Sequence, residues 1–447
     1  MYNIVKNYPR YETINSKDLV KKLFNSRRLL DLSDPNTCAI RVSEALNKAG
    51  FTIDGTILSE NEYEKGKNGK WYVLTAMGMK RYLEKKYGGL ARYSVNTPEL
   101  YRRFRQYIDV LGSGIVILQS NSKSFTGHAD IWFEEKYLFA KKQLENMGFE
   151  IVEGNLVKDK RYQGYRTASA KERAEEMMEL VKNKDIDIMM PVIGGFNSGS
   201  LLPYLDFDEI EKSKKKFLGY SDITAIQMAI LKKTNLKPIY GGSLIPTFGE
   251  YEGISPFLKN TLDNLFFKKS YSLEEPEFYS NKLLNAFTDE WKTKKREYTK
   301  NEGWKILNEG EIEGEVIVAN IDTLVSLLAT EYVPDFKDKM LILEEINATI
   351  DLEERNLNTL KISGVFEGVK GLIFGKPEVY NNKNSNLEYI DIIKEVLGKR
   401  DYPIIYNFDC GHTIPSLMIS QDSLLSLKAS DKEGVKVEIL KNSFIDD

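Results

Sequence analysis

The stretch Asp185–Pro203, DIDIMMPVIGGFNSGSLLP, decides the fold. Asp185–Ile193 has the length and apolar content of a buried strand, and it runs into the paired glycines Gly194 and Gly195. Ser198 follows within a few residues. A serine on a tight turn after a strand presents its hydroxyl where neighbouring backbone N–H groups can point at a developing oxyanion. The logic is that of a nucleophile elbow, although the G-x-S-x-G spelling is absent, and a Gly/Ser turn also serves as a plain connection.

Outward from this stretch the pattern is α/β. Gly114–Leu118 (GIVIL), Met340–Leu343 and Pro403–Tyr406 read as further buried strands, while 134–147, 170–183, 222–234 and 385–397 read as helices. Alternation of this kind favours a sheet covered on both faces. Before about residue 110 the texture changes to Lys-, Tyr- and Arg-rich sequence with helical patterns at 17–25, 38–49 and 75–87. A chain of 447 residues calls for two or more domains, because single cores rarely grow past about 250 to 300 residues. No internal repeat or Pro/Gly/Ser linker marks the boundary.

Charge excludes several function classes. Lys and Arg (63) nearly cancel Asp and Glu (66), so no field steers the chain toward nucleic acid or an anionic membrane. The runs Lys214–Lys216 and Lys292–Arg296 read as solvated faces. No apolar run approaches the ~18 residues that span a bilayer, and Met1–Lys6 lacks a signal-peptide pattern, which leads to an expectation of a cytoplasmic protein. With two cysteines, Cys38 and Cys410, neither a Cys/His zinc cluster nor a disulfide framework is expected, and no cofactor or metal is called for.

The two histidines concentrate the chemistry further. Each follows a glycine, in Thr126-Gly127-His128 and Cys410-Gly411-His412, and any neutral-pH proton shuttle must use one of them. His412 stands in a loop after the strand Pro403–Tyr406, and Glu344 and Glu345 end the strand Met340–Leu343. A carboxylate at a strand end can orient an imidazole through Nδ1–H, or it can be a solvated strand end. Ser198, Glu344 and His412, each on a loop beside a buried strand, form the set that nucleophilic catalysis requires. Upstream, Asn36-Thr37-Cys38 opens a helix from Ala39 to Ala49 capped by Gly50. A cysteine on the first turn sits at the positive end of the helix dipole, which favours its thiolate; an isolated cysteine is more often an inert core residue.

The segments GGFNSGSLLPYLDFDEI, FLGYSDITAIQMAILKKT, LILEEI…LEERNLNTLKISGVFEGVKGLIFGK and NFDCGHTIPSL, spread over about 135–445, resemble the landmarks of the LD-carboxypeptidase family. Asn197-Ser198, Ser221-Asp222 and GEVIVANIDTL resemble most its microcin C immunity branch. The resemblance implies a two-domain α/β serine peptidase with Ser198 as nucleophile, His412 as base and Glu344 as orienter. It also implies oxyanion donors at Gly199 and in the Thr167-Ala168-Ser169 turn, where Ala168 replaces the usual glycine. Ser200 stands where many carboxypeptidase members have arginine, and Glu345 where relatives often have aspartate. Phe287 and Trp291 occupy the positions of aromatics that stack on an adenine ring in the immunity branch; a packing role is the competing reading.

NTCAIRVSEALNKAGF, GKNGKWYVLTAMGMKRYLEKKYG and GIVILQSNSKSFTGHADIW, within about 30–133, resemble the type VI secretion amidase effectors of the fourth group. These are papain-like α+β enzymes that cut the D-Glu–diaminopimelate bond of peptidoglycan. The resemblance implies Cys38 as nucleophile and His128 as base. The effectors' aspartate, about ten residues after the histidine, has no counterpart, so Asp130 is the nearby substitute. The implied domains are 1–133 (amidase type), 134–310 (serine-bearing) and 311–447 (Glu- and His-bearing). Both resemblances claim the strand 112–120, which cannot complete two sheets. The more complete C-terminal landmarks favour an intact peptidase preceded by a truncated amidase-type remnant. The substrates implied are a murein peptide, a peptidyl- or aminoacyl-nucleotide, or a peptidoglycan fragment. A homodimer is compatible with the sequence, as is signal-less export of an active amidase. A fusion in which both sites are lost would leave a binding or immunity module.

Overall fold

The computed structural model describes residues 14–26, 29, 37–55, 62–87, 114–118, 128–132, 135–158, 167–281, 296–346 and 349–445. The chain divides into two compact units, Met1–Lys136 with Tyr162–Arg166, and Tyr137–Arg161 with Thr167–Asp447.

In the first unit the helical periodicities become Ser16–Leu23, Cys38–Lys48 and Ala76–Tyr87. Asn15 caps the first by accepting from the Asp18 N–H at 2.9 Å. Gly50, at φ +89°, follows the second in a conformation that L residues rarely adopt. The hairpin Tyr63–Lys65 with Trp71–Val73 lays Tyr72 into a core of Leu19, Val20, Leu23, Phe24 and Ile40. The Tyr72 hydroxyl donates to buried Glu44 at 2.6 Å, which satisfies both polar groups out of water.

Gly114–Leu118 pairs antiparallel with His128–Trp132, in the register Leu118 to His128 and Val116 to Asp130. Among the described residues it pairs with no other strand. The strand that both resemblances claim therefore belongs to the first unit. The expectation of an intact peptidase sheet that includes it is corrected: its ladder bonds are taken by His128–Trp132, a short way along the chain and so cheap in loop-closure entropy.

The second unit holds two sheets. The smaller runs in the order Ile419–Ser420, Ile239–Tyr240, Lys216–Gly219, Ile188–Met189. The first of these strands is antiparallel to its neighbour and the others are parallel. The larger is eight-stranded, in the order Lys305–Asn308, Ile404–Phe408, Gly371–Gly375, Met340–Glu344, Gly310–Asn320, Leu424–Ser430, Gly434–Lys441, Tyr271–Ser272. The four strands from Ile404–Phe408 to Gly310–Asn320 in that order are mutually parallel, and Met340–Glu344 and Gly371–Gly375 are buried along their whole length, as a doubly covered sheet demands. Alternation sorts their side chains. Leu341, Leu343, Leu372 and Phe374 face a core with Leu357, Leu360, Ile392 and Ile393 of the helices Ile350–Ile362 and Tyr389–Leu397. Met340, Ile342, Ile373 and Ile405 face the opposite core, with Trp304, Leu425, Leu427 and Ile439.

Three expectations need correction. Asp185–Ile193 contributes only the two-residue strand Ile188–Met189, half-buried, so Ser198 follows a long loop rather than a sharp elbow. The helix expected from 385 begins at Tyr389, because Glu388 and Asp391 close a capping box there. Lys214–Lys216 is not a solvated face. Lys215 is 5% exposed and donates its ammonium to the Asn183 carbonyl at 2.6 Å and to that of Ile186, while the Lys216 ammonium reaches the Phe444 carbonyl at 3.0 Å. Unpaired carbonyls after a helix end accept a lysine readily, and the stem stays apolar.

Beneath the His412 loop, Lys376 and Asp409 form a fully buried ion pair. Lys376 Nζ also donates to the Asn407 carbonyl at 2.8 Å, and Asp409 accepts from Trp304 Nε1 at 2.9 Å and Asn301 Nδ2 at 3.2 Å. Burial lowers the lysine pKa and raises that of the aspartate, so each charge depends on the other. Lys376→Met should therefore cost about 3–5 kcal/mol in urea unfolding, because it strands a buried carboxylate. Lys376→Met with Asp409→Leu should recover most of that loss. A single variant within 1 kcal/mol of wild type, taken here as about the worth of an exposed pair, would show that the pair does not hold the loop.

Candidate active site

The site lies in the second unit, where the strand Met340–Glu344 ends. Glu344 is wholly buried and its carboxylate collects three donors: His412 Nδ1 on Oε2 at 2.6 Å, Tyr240 hydroxyl on Oε1 at 2.5 Å and Asn320 Nδ2 on Oε1 at 3.2 Å. Such donors replace the water a buried carboxylate has lost. The His412 loop approaches so closely that a Cβ on Gly411, at φ +132°, would sit 2.6 Å from Glu344 Oε2. Gly375 on the neighbouring strand is under the same constraint, 2.9 Å from Glu344 Cβ. The Gly411 N–H donates to Ser416 Oγ at 3.0 Å, and the Tyr220 ring lies 4.8 Å from the imidazole.

Ser198 opens the 3-10 helix Ser198–Tyr204 and is 8% exposed. Asp222 organises it. A single oxygen, Oδ2, accepts from the Asn197 N–H at 2.9 Å, the Ser198 N–H at 2.8 Å and the Ser198 hydroxyl at 2.6 Å. Asp222 follows Ser221, which holds φ +64°, a conformation costing a non-glycine residue about 1–3 kcal/mol and found where the surroundings over-determine it. From the helix Ala170–Lys182, Arg173 donates to Asn197 Oδ1 at 2.7 Å and to Ser200 Oγ at 3.1 Å. A guanidinium thus reaches the Ser200 hydroxyl as well as the Asn197 side chain. Among the described residues, no hydrogen bond joins Ser198 to His412. The imidazole–glutamate half of the expected set is made, and the serine hydroxyl is held by Asp222. Unliganded sites often keep such contacts long until substrate arrives.

Gly199 is the second residue of the 3-10 helix, and Ala168 is fully buried. The Ser169 N–H is committed to Glu172 Oε2 at 2.9 Å in a capping box, which narrows a donor in that turn to Thr167 or Ala168. Phe287 and Trp291 lie outside the described residues. So do the side chains of Cys38, His128 and Asp130, although their backbones are placed: Cys38 begins its helix after Thr37, and His128 and Asp130, two apart on one strand, share a face. That helix and that strand are neighbours.

Further carboxyls crowd Glu344. Burial, and then the charge of Glu344, push the carboxyl of Glu345 up to about 8, although Asn320, Asp322 and Ile346 all donate to it. Burial, with Glu345, Asp322 and Glu344, raises Glu353 well above the usual range. Adjacent carboxyls at one strand end thus differ in character: Glu344 orients an imidazole, and its neighbours are held toward the neutral form. Asp222, Asn320, Tyr240 and Arg173 were not singled out in the sequence as working residues. Asn320 alone carried a local signal, as an N-cap that accepts from the Thr323 N–H at 3.1 Å. The partners of the others lie 19 to 104 positions away.

His412 carries a raised pKa. Burial opposes the imidazolium, but the charge and hydrogen bond of Glu344 outweigh it, with Glu378 and Glu345 adding. With only two histidines in the chain, an NMR titration should show one imidazole above the ordinary 6.5. Glu344→Gln should lower it, because burial is then opposed only by the weaker pull of Glu378 and Glu345. The stability this pair contributes should be fully present below pH 6.5 and be lost as pH rises through the raised value. A titration unchanged in Glu344→Gln would separate the two residues.

Three family models match the chain: the LD-carboxypeptidase N-terminal domain over 116–241, the LD-carboxypeptidase C-terminal domain over 313–425, and amidase effector protein 4 of the type VI secretion system over 35–152. A protein of Vibrio cholerae described as a carboxypeptidase is 35% identical over 62% of this chain and 83% of its own. The microcin C7 self-immunity protein MccF of Escherichia coli is 32% identical, over 69% and 90%. Its structure in complex with aspartyl sulfamoyl adenosine matches with a TM-score of 0.63 over 69% of this chain and 92% of that one. A Bacillus subtilis protein named for murein peptide carboxypeptidase activity is 26% identical, over 65% and 84%. These matches make the chain a member of the LD-carboxypeptidase family.

Proposed function

We propose that the second unit is a serine hydrolase that cleaves an amide or acyl bond in a murein peptide or a peptidyl- or aminoacyl-nucleotide. Ser198 is the nucleophile, His412 the base and Glu344 the orienter. The observation that carries this reading is the 2.6 Å contact between His412 Nδ1 and the buried carboxylate of Glu344, which leaves Nε2 as the basic nitrogen. On substrate binding the Ser198 hydroxyl exchanges Asp222 for His412 Nε2. Oγ then bonds to the scissile carbonyl carbon as its proton passes to the imidazole. The oxyanion is met by the N–H of Gly199 and one from the 167–168 turn, and the imidazolium returns the proton to the leaving group. Water attacks the acyl-enzyme by the same route and frees Ser198. The serine-bearing part corresponds to 134–310 and the part with glutamate and histidine to 311–447. The nucleotide arm draws on the ligand named for the MccF structure, and the murein arm on the name of the Bacillus relative. Phe287 and Trp291 are proposed to stack on the base.

Ser198→Ala should abolish turnover of whichever substrate is cleaved, by about 10⁶-fold where the three residues act as a unit. His412→Ala should be nearly as severe and Glu344→Gln milder. Turnover at the wild-type rate in a folded Ser198→Ala protein would sink the reading.

A second reading concerns the first unit, whose match to an amidase effector model and whose helix-opening cysteine support a Cys38–His128 amidase assisted by Asp130. A thiol at a helix N-terminus reacts as thiolate, whereas burial raises Cys410 far above the ordinary thiol range. Iodoacetamide should label Cys38 faster than Cys410, with only slow cleavage of the D-Glu–diaminopimelate bond, since Asp130 stands in for the effectors' later aspartate and an imidazole without its proper orienter costs a triad up to about 10⁴ in kcat. Equal, slow labelling of both cysteines would leave Cys38 a packing residue.

A further inference from the structure

The helices Ile350–Ile362 and Tyr389–Leu397 pack against each other, and their contact holds a group of buried oxygens without partners. Among the described residues, both carboxyl oxygens of Glu353 and the hydroxyls of Tyr380 and Tyr389 make no hydrogen bond. Glu353 is fully buried and Tyr389 is 7% exposed. Local structure fixes the three side chains together. The Glu353 N–H donates to the Thr349 carbonyl at 2.9 Å, and the Ile350 N–H of the same turn donates at 3.0 Å to the carbonyl of Asn381, the residue after Tyr380. The Tyr380 and Tyr389 rings lie 5.7 Å apart. Glu353 is the charge that bears most on the Tyr389 phenol, and it acts on that of Tyr380 as well.

Charge decides what completes this group. The ionisable groups acting on Glu353 are Glu345, Asp322 and Glu344, all of them acidic, and no cationic side chain among the described residues pairs with it. A buried carboxylate in such company needs an opposite charge, and buried phenols normally find partners. No three Asp, Glu, His or Cys side chains among the described residues converge as a divalent metal would require. An organic ammonium is too large for a carboxyl closed to solvent. A bare alkali ion, by contrast, is about the size of a water molecule, prefers oxygen ligands and matches one carboxylate in charge. Each phenol can give such an ion a lone pair while its proton goes to the carboxylate. We propose that Glu353, Tyr380 and Tyr389 bind a monovalent alkali cation between these two helices. The site reaches Glu344 through a short relay: Asn356, one turn after Glu353, donates to Asp322 Oδ1 at 3.3 Å, the Asp322 N–H donates to Glu345 at 2.9 Å, and Asn320 donates to both Glu345 and Glu344 at 3.2 Å. The cation therefore offsets negative charge directly behind the carboxylate that orients His412, whatever bond the enzyme cleaves.

Thermal unfolding of the full chain tests this, at constant chloride and ionic strength, with tetramethylammonium replaced stepwise by potassium or by sodium. Tetramethylammonium screens surface charge equally but is too large to enter. At least one of the two alkali ions should raise the midpoint of the second unit saturably, by about 2–4 °C at about ten times its half-saturating concentration. Glu353→Gln should abolish the response. In tetramethylammonium alone that variant should unfold no lower than wild type, because it removes an uncompensated buried acid. Tyr389→Phe and Tyr380→Phe should each shift half-saturation to higher salt, which keeps the comparison available if Glu353→Gln does not fold. Equal midpoints of wild type in all three salts would overturn the proposal and leave Glu353 a neutral acid satisfied by water. A rise that persists undiminished in these variants would place the ion elsewhere and overturn it equally.

Discussion

The second unit is organised around one buried charge. The Glu344 carboxylate stands at the end of a strand buried on both faces, and a carboxylate there survives only if donors replace water. Tyr240 comes from the smaller sheet, Asn320 from the adjacent parallel strand and His412 from the loop after Ile404–Phe408. Satisfying one side chain therefore ties both sheets and the histidine loop to one point. Gly375 and Gly411 are part of the same constraint, since any side chain there would meet Glu344.

The serine side obeys a similar rule with different means. Asp222 stabilises a helix start that is not its own, accepting two backbone N–H groups and the Ser198 hydroxyl on one oxygen. Positive φ at Ser221 aims it there, and Arg173 clamps the other side of the turn through Asn197. The serine turn is thereby held by hydrogen bonds on both sides.

The overlap between the family models at 116–152 has a physical counterpart in the strand Gly114–Leu118. Pairing with His128–Trp132 satisfies its ladder within a few residues of chain, at low cost in loop entropy. The peptidase unit closes its smaller sheet differently, with Ile419–Ser420 delivered from far downstream.

The sequence by itself determined the α/β class, the helix positions to within a few residues, and the identities of Ser198, Glu344 and His412 as candidates, because apolar periodicity and Gly/Ser/His punctuation are local properties. It overestimated the strand Asp185–Ile193, whose apolar residues pack in a loop, and it misread Lys215, whose carbonyl partners lie about 30 residues back. Only the tertiary structure decided that Ser198 is held by Asp222, that Glu344 is shared by Tyr240, Asn320 and His412, and that Glu353 is left with unpaired oxygens. Each of these is a hydrogen bond made, or not made, between groups brought together from distant parts of the chain. No local pattern encodes such a pairing, because its energy exists only once both partners have lost their water.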